Sequence, residues 1–174
     1  MLSKIKFISF FCLISGIFAC NQAVKKHCCD TGSQSFVKDS VKVYVPDAFS
    51  PNGDGINDTF TYFINKPEAF VEHRLIVSKG SVIAFDQIDS SIIAWNGLIV
   101  GKKAKENVLN YRLLLKRAHA TTADSVVDIR GTICLRQNLP ICATEVQRCS
   151  FPDQFNAQTG SVNATNENLD NSCK

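Results

Sequence analysis

Short runs of alternating apolar and polar residues fill the chain from residue 41 to residue 136. VKVYV (41–45), TFTYFI (59–64), HRLIVS (73–78), SVIAFD (81–86), VLNYRLLLKR (108–117) and SVVDIRGTICLR (125–136) are rich in β-branched and aromatic residues. Turn-forming residues separate them and none carries a helical stripe, so the pattern predicts strands. Ser78-Lys79-Gly80-Ser81 reads as a hairpin turn centred on Lys79-Gly80. Within the strands, side chains alternate with period two. Leu109, Tyr111, Leu113 and Leu115 fall on one face of their strand, and Val127, Ile129, Gly131, Ile133 and Leu135 on one face of the next. Cys134 then points outward, where it can fasten a segment lying over the sheet. Strands of this number and length predict an antiparallel β-sandwich of about seven strands.

The ends of the chain follow other patterns. Lys4 and Lys6 precede an uncharged apolar stretch, Phe7–Ala19. At about 1.5 Å per helical residue it is too short for a hydrocarbon core of about 30 Å, and it reads as a secretory signal. Ile17-Phe18-Ala19-Cys20 resembles a bacterial lipobox, which makes residues 1–19 a lipoprotein signal peptide and Cys20 the lipidated N-terminus. The alternative is an ordinary signal peptide with a cysteine nearby. Residues 20–40 are polar and lack periodicity, and read as a tether between the membrane and the folded part. Residues 137–174 hold too few apolar side chains for a second core, and read as a loop-rich extension pinned by cysteines.

Charge and cysteine content narrow the function classes. The signal holds two of the 19 Lys and Arg residues and none of the 16 Asp and Glu residues, so the mature chain is nearly neutral. Nucleic acid binding needs a clustered basic face, and the densest basic group, Lys102, Lys103 and Lys105, reads as a solvated loop. Of eight cysteines, Cys12 belongs to the signal and Cys20 to the lipid. The remainder, Cys28, Cys29, Cys134, Cys142, Cys149 and Cys173, are disulfide candidates in an exported chain, with pairing left open. His27-Cys28-Cys29-Asp30 also has the composition of a small metal cluster, but no second half-site accompanies it.

The stretch Ala48–Phe60, AFSPNGDGINDTF, concentrates turn residues and oxygen donors. Asp47, Asn52, Asp54, Asn57 and Asp58 supply hard ligands of the kind calcium takes, although Ile56 breaks the EF-hand spacing and no Glu closes the loop. The competing reading is architectural: Gly53 and Gly55 at positive φ, Asn and Asp side chains bonding nearby amides, and Phe49 and Phe60 anchored in the core. Phosphate is excluded, because neither a following helix nor a Gly-Lys-Ser/Thr sequence is present. His27, His73 and His119 lie in the tether, at a strand start and at a strand end, with no nucleophile and orienting carboxylate beside them in sequence. No catalytic residue is therefore assigned, and the chain is not expected to be an enzyme. Trp95 reads either as core packing or as a ligand-binding platform.

VPDAFSPNGDGINDTF closely resembles the opening signature of the gliding motility-associated C-terminal domain, the type B sorting domain of type IX secretion in Bacteroidetes. Phe49, Ser50, Pro51, Asn52, Gly53, Asp54, Gly55, Asn57, Asp58 and Phe60 match it position by position. Trp95-Asn96-Gly97 with Gly101, then Tyr111, and finally Gly131, Leu135 and Arg136 follow the family's later features in order, so the resemblance covers residues 41–136. It implies an Ig-like fold and export, since such domains close large cargo proteins and are read by the secretion machinery. Here the module follows a lipoprotein signal directly and precedes a cysteine-rich tail. The resulting expectation is a non-catalytic outer-membrane lipoprotein, held by lipid on Cys20. Its Ig-like module would bind a protein partner in a gliding, secretion or surface assembly of the cell envelope. The alternatives are a carbohydrate-binding accessory lipoprotein of a nutrient-uptake system and a retained type IX sorting signal.

Overall fold

The computed structural model describes residues 32–105, 107–119, 125–136, 149–156 and 161–162. In chain order the strands are β1 (Gln34–Lys38), β2 (Val41–Val45), β3 (Ala48–Phe49), β4 (Phe63–Ile64), β5 (Phe70–Lys79) and β6 (Val82–Asp89). They continue with β7 (Leu98–Ile99), β8 (Lys102–Lys103), β9 (Asn107–Arg117), β10 (Val126–Leu135), β11 (Phe155–Asn156) and β12 (Ser161–Val162). The fold is all-β among the described residues, apart from single 3-10 turns.

Two sheets carry the architecture. One has the order β1-β2-β4 and the other β3-β10-β9-β5-β6, with β7-β8 and β11-β12 as small two-stranded ribbons. All pairs are antiparallel except β3 on β10, where Cys134 faces Ala48 and Leu135 faces Phe49. Val41, Val43, Val45 and Ile64 from the first sheet meet Leu75, Val77, Leu109, Leu113, Leu115 and Ile133 from the second in one hydrophobic core. The period-two stripes of β9 and β10 supply much of it. Asn110, Arg112 and Lys116 stand on the solvent side.

Three local readings change. The β5–β6 hairpin turns on Gly80-Ser81 rather than Lys79-Gly80, because Lys79 still pairs with Val82 and Gly80 takes φ +58°. TFTYFI is not one strand: Phe60 exchanges two backbone bonds of 2.8 Å with Trp95, and only Phe63–Ile64 pairs with β2. Gln34–Lys38, read as tether, pairs along its length with β2 through a turn in which Asp39 and Ser40 both have positive φ. A polar edge strand with a single inward aromatic, Phe36, leaves no periodic trace in the sequence.

The tail is described over residues 149–156 and 161–162, and the first of these stretches straps across the fold. The carbonyl of Ser150 accepts from the amides of Asp47 (3.1 Å) and Ala48 (3.3 Å). Phe155 stacks on Phe63 (4.5 Å between ring centres) and Tyr44 (5.4 Å), on the side of β2 and β4 turned away from the core. Phe151 is fully buried. This strap accounts for the burial of Cys134. Its side chain lies opposite the core-facing Ile133 and Leu135 yet is buried, because β3 runs beside it and carries the strap. Cys134 and Cys149 are both disulfide-bonded. Cys20, Cys28, Cys29, Cys142 and Cys173, together with the signal and His27, lie outside the described residues.

Candidate functional site

The loop between Phe49 and Phe60 is built by its own carboxylates. Asp58 accepts from the amide of Gly53 through Oδ1 (2.6 Å) and from that of Gly55 through Oδ2 (2.7 Å). Asp54 accepts from the Ile56 amide (2.8 Å) and from the Asn52 side chain (2.8 Å), while Asn52 Oδ1 accepts from the Asp54 amide (2.9 Å). Gly53 and Gly55 sit at φ +90° and +88°, where a side chain would be strained, and this lets successive amides turn toward the carboxylates. Phe49 and Phe60 are buried with ring centres 5.9 Å apart, so both loop ends are fixed in the core. Each carboxylate is thus committed to N–H donors, the arrangement of an Asx-braced turn.

The five oxygen donors grouped in the calcium reading do not converge. Asn52, Asp54 and Asp58 brace the exposed loop. Asn57 instead turns its Oδ1 to the amide of Asp153 in the strap (3.1 Å). Asp47 is buried, and its Oδ1 takes the Ser150 amide at 2.6 Å. Burial pushes the Asp47 carboxyl up to about 6, against the lowering effect of the Ser150 amide.

Of the two readings of Trp95, core packing holds and the ligand platform does not. It is 1% exposed, tilted against Phe49 and Phe85, and its indole N–H donates to the carbonyl of Leu98 at 3.0 Å. A ring so enclosed offers no face to a sugar.

A site that sequence reasoning missed lies at the other end of β5. His73, read from the sequence as a strand-start residue with no catalytic neighbours, is 1% exposed. Its Nδ1 lies 2.6 Å from the hydroxyl of Tyr62, which also accepts from the amide of Ile93 (3.2 Å). Burial pushes Tyr62 up to about 12 and lowers His73, so the pair is a phenol and a neutral imidazole at ordinary pH. His73 lines a cleft of about 520 Å³ between the 3-10 turn Pro67–Ala69 and the residues following β6. Pro67, Phe70 and Ile92 form its apolar walls, with Glu68, Ser90 and Ser91 beside them. Ser91 donates its hydroxyl to Asp89 (2.9 Å) and not to the imidazole, so Ser91 is not a hydroxyl activated by His73. No signal in the sequence joins His73 to Tyr62; only the fold does. His119 is exposed beyond β9.

The open edge of the larger sheet is the remaining feature. β6 ends the order β3-β10-β9-β5-β6, and Val82, Ile83 and Ile88 on it are more than half exposed. Lys102 and Lys103, read as a solvated loop, are exposed on the short β8. No protein-family model matches the chain, and comparison with curated proteins and with solved structures likewise gives no match.

Proposed function

We propose that this chain is a non-catalytic lipoprotein, anchored to the outer membrane through lipid on Cys20. In this reading, an Ig-like antiparallel β-sandwich binds a protein partner in an envelope assembly. The observation that carries the reading is the β6 edge. Its eight residues contain no proline, and Val82, Ile83 and Ile88 are exposed on a strand whose outer side pairs with no other strand among the described residues. Such an edge invites pairing by another strand unless a partner covers it. The resemblance over residues 41–136 supports an Ig-like module. Two sheets sharing one core and a loop whose carboxylates serve its own backbone are consistent with that module.

The test is co-purification of the natively anchored protein under mild detergent, beside Ile83→Lys and Ile88→Lys. The expected result is an envelope protein recovered with the wild type and lost from both variants at unchanged thermal stability. A chain that purifies alone, or a partner indifferent to both substitutions, overturns the reading.

A further inference from the structure

We propose that the cleft closed by His73 binds a small uncharged polyhydroxylated ligand, of which a single sugar unit is the simplest case. The argument starts from the protons. Tyr62 stays a phenol, with burial holding it up to about 12, and the Ile93 amide already donates to its oxygen. Its hydroxyl proton therefore goes to Nδ1 of His73, 2.6 Å away. The imidazole, kept neutral by burial, then carries its own proton on Nε2. Tyr62 is the one hydrogen-bond partner of His73 among the described residues, so Nε2–H is a fixed donor with no acceptor among them. Nε2 is not one of the sealed polar atoms that lack a partner, so solvent reaches it, and the cleft that His73 lines is where a ligand hydroxyl can replace that solvent.

The rest of the lining sets the ligand's class. Glu68 is exposed at the cleft and accepts only, while the Ser90 hydroxyl both donates and accepts. Asp89, opposite His73 in the β5–β6 register, adds a second negative charge nearby. Two carboxylates disfavour an anion, and the Nε2–H donor calls for an acceptor, which a hydroxyl supplies and an ammonium does not. A neutral molecule with several hydroxyls satisfies donor and acceptors together, and its C–H face packs on Pro67, Phe70 and Ile92. About 520 Å³ lies within the ordinary range of small-molecule sites. Trp95, Val82, Ile83 and Ile88 do not line the cleft, so the proposal stands or falls apart from the protein-binding reading.

The experiment uses the full chain purified in detergent. Saturation-transfer NMR and calorimetry would follow glucose, galactose, mannose and N-acetylglucosamine, with glucuronate and glucosamine as anionic and cationic controls. The expected result is saturable binding of at least one neutral sugar over both charged controls. Glu68→Ala should weaken it about tenfold, the scale of one hydrogen bond to a charged group, and Ser90→Ala should weaken it less. Both positions are exposed, so these variants keep the test valid even where His73→Phe fails to fold. Absence of saturable binding to all four neutral sugars overturns the proposal. So does binding that is unchanged in Glu68→Ala and Ser90→Ala, or equal binding of the charged controls.

Discussion

The carboxylate of Asp47 and the backbone amide of Ser150, 103 positions apart in the chain, meet at 2.6 Å. The same two residues meet again through the Asp47 amide and the Ser150 carbonyl at 3.1 Å. This two-bond clasp fixes the strap beside β3, and through Asn57 and Asp153 the strap also touches the braced loop. Residues outside the stretch resembling the family thus complete the structure of that stretch.

The clasp has a pH signature with a definite sign. Asp47 is held up to about 6 in the folded chain, against 3.8 for the free side chain. The folded state therefore binds the proton more tightly than the unfolded state. Stability linked to this group is greatest below about pH 4, falls as pH rises toward 6, and is level above it. The full drop is on the order of 3 kcal/mol, at 1.36 kcal/mol for each pKa unit. Asp47→Asn keeps an acceptor for the Ser150 amide and removes the titration. Burial lowers His73, so its contribution runs the opposite way through this window in both chains and cancels in their difference. Denaturant melts between pH 4 and 7 should therefore show the stability of the variant relative to the wild type rising with pH, the variant being the more stable of the two at pH 7. Asp128, held down to about 2 by Arg130 and Arg112, titrates below this window and does not obscure it.

Tyr111 and Gly131 face each other across β9 and β10, and the tyrosine ring occupies the space a side chain at 131 would need. A Cβ there would lie 2.6 Å from the Tyr111 hydroxyl oxygen. Gly131→Ala should therefore cost about 1–3 kcal/mol, as overpacking of a core does. The Tyr111 hydroxyl is buried and has no hydrogen-bond partner among the described residues. Tyr111→Phe should then be neutral or stabilising by about 1 kcal/mol, and should recover part of the Gly131→Ala loss. A double-mutant cycle by thermal denaturation measures that coupling.

Much of the fold was legible in the strands themselves. Leu109, Leu113 and Leu115 were placed inward by alternation alone, and they are buried. The architectural reading of the loop was also available from Gly53, Gly55 and their Asx neighbours. What escaped was everything that depends on distant partners. His73 is buried because Tyr62 and Phe70 close over it, a relation between strands that no local pattern encodes. Phe36 is one inward residue on an edge strand, too little for a period. The clasp joins residues 103 positions apart, and a buried aspartate looks the same in sequence as an exposed one.

Trp95 now belongs to the core, and its substitution should read as a stability effect. Trp95→Ala removes the indole packed against Phe49 and Phe85 and its bond to Leu98. The expected loss is about 3–5 kcal/mol, the usual cost of deleting a large buried aromatic. Trp95→Phe should retain more than half of that. Chemical denaturation of both variants tests the ranking, and a Trp95→Ala chain as stable as the wild type would place the indole outside the core.

The loop carboxylates separate bracing from metal binding in a single comparison. Asp58 serves two amides at 2.6 and 2.7 Å, while Asp54 serves one amide and one side chain at 2.8 Å each. Asp58→Ala leaves two exposed glycine amides to water and frees two residues at positive φ, Gly53 and Gly55. It should cost about 1–2 kcal/mol, and Asp54→Ala about half as much, since Asp58 holds two backbone amides of the loop and Asp54 only one, its other donor being an exposed side chain. Because these oxygens already hold N–H donors, millimolar calcium has to displace them in order to bind. Thermal melts in calcium and in EDTA should therefore coincide for the wild type. A melting temperature raised by calcium, and raised no longer in Asp58→Ala, would show that the loop exchanges its amides for a metal.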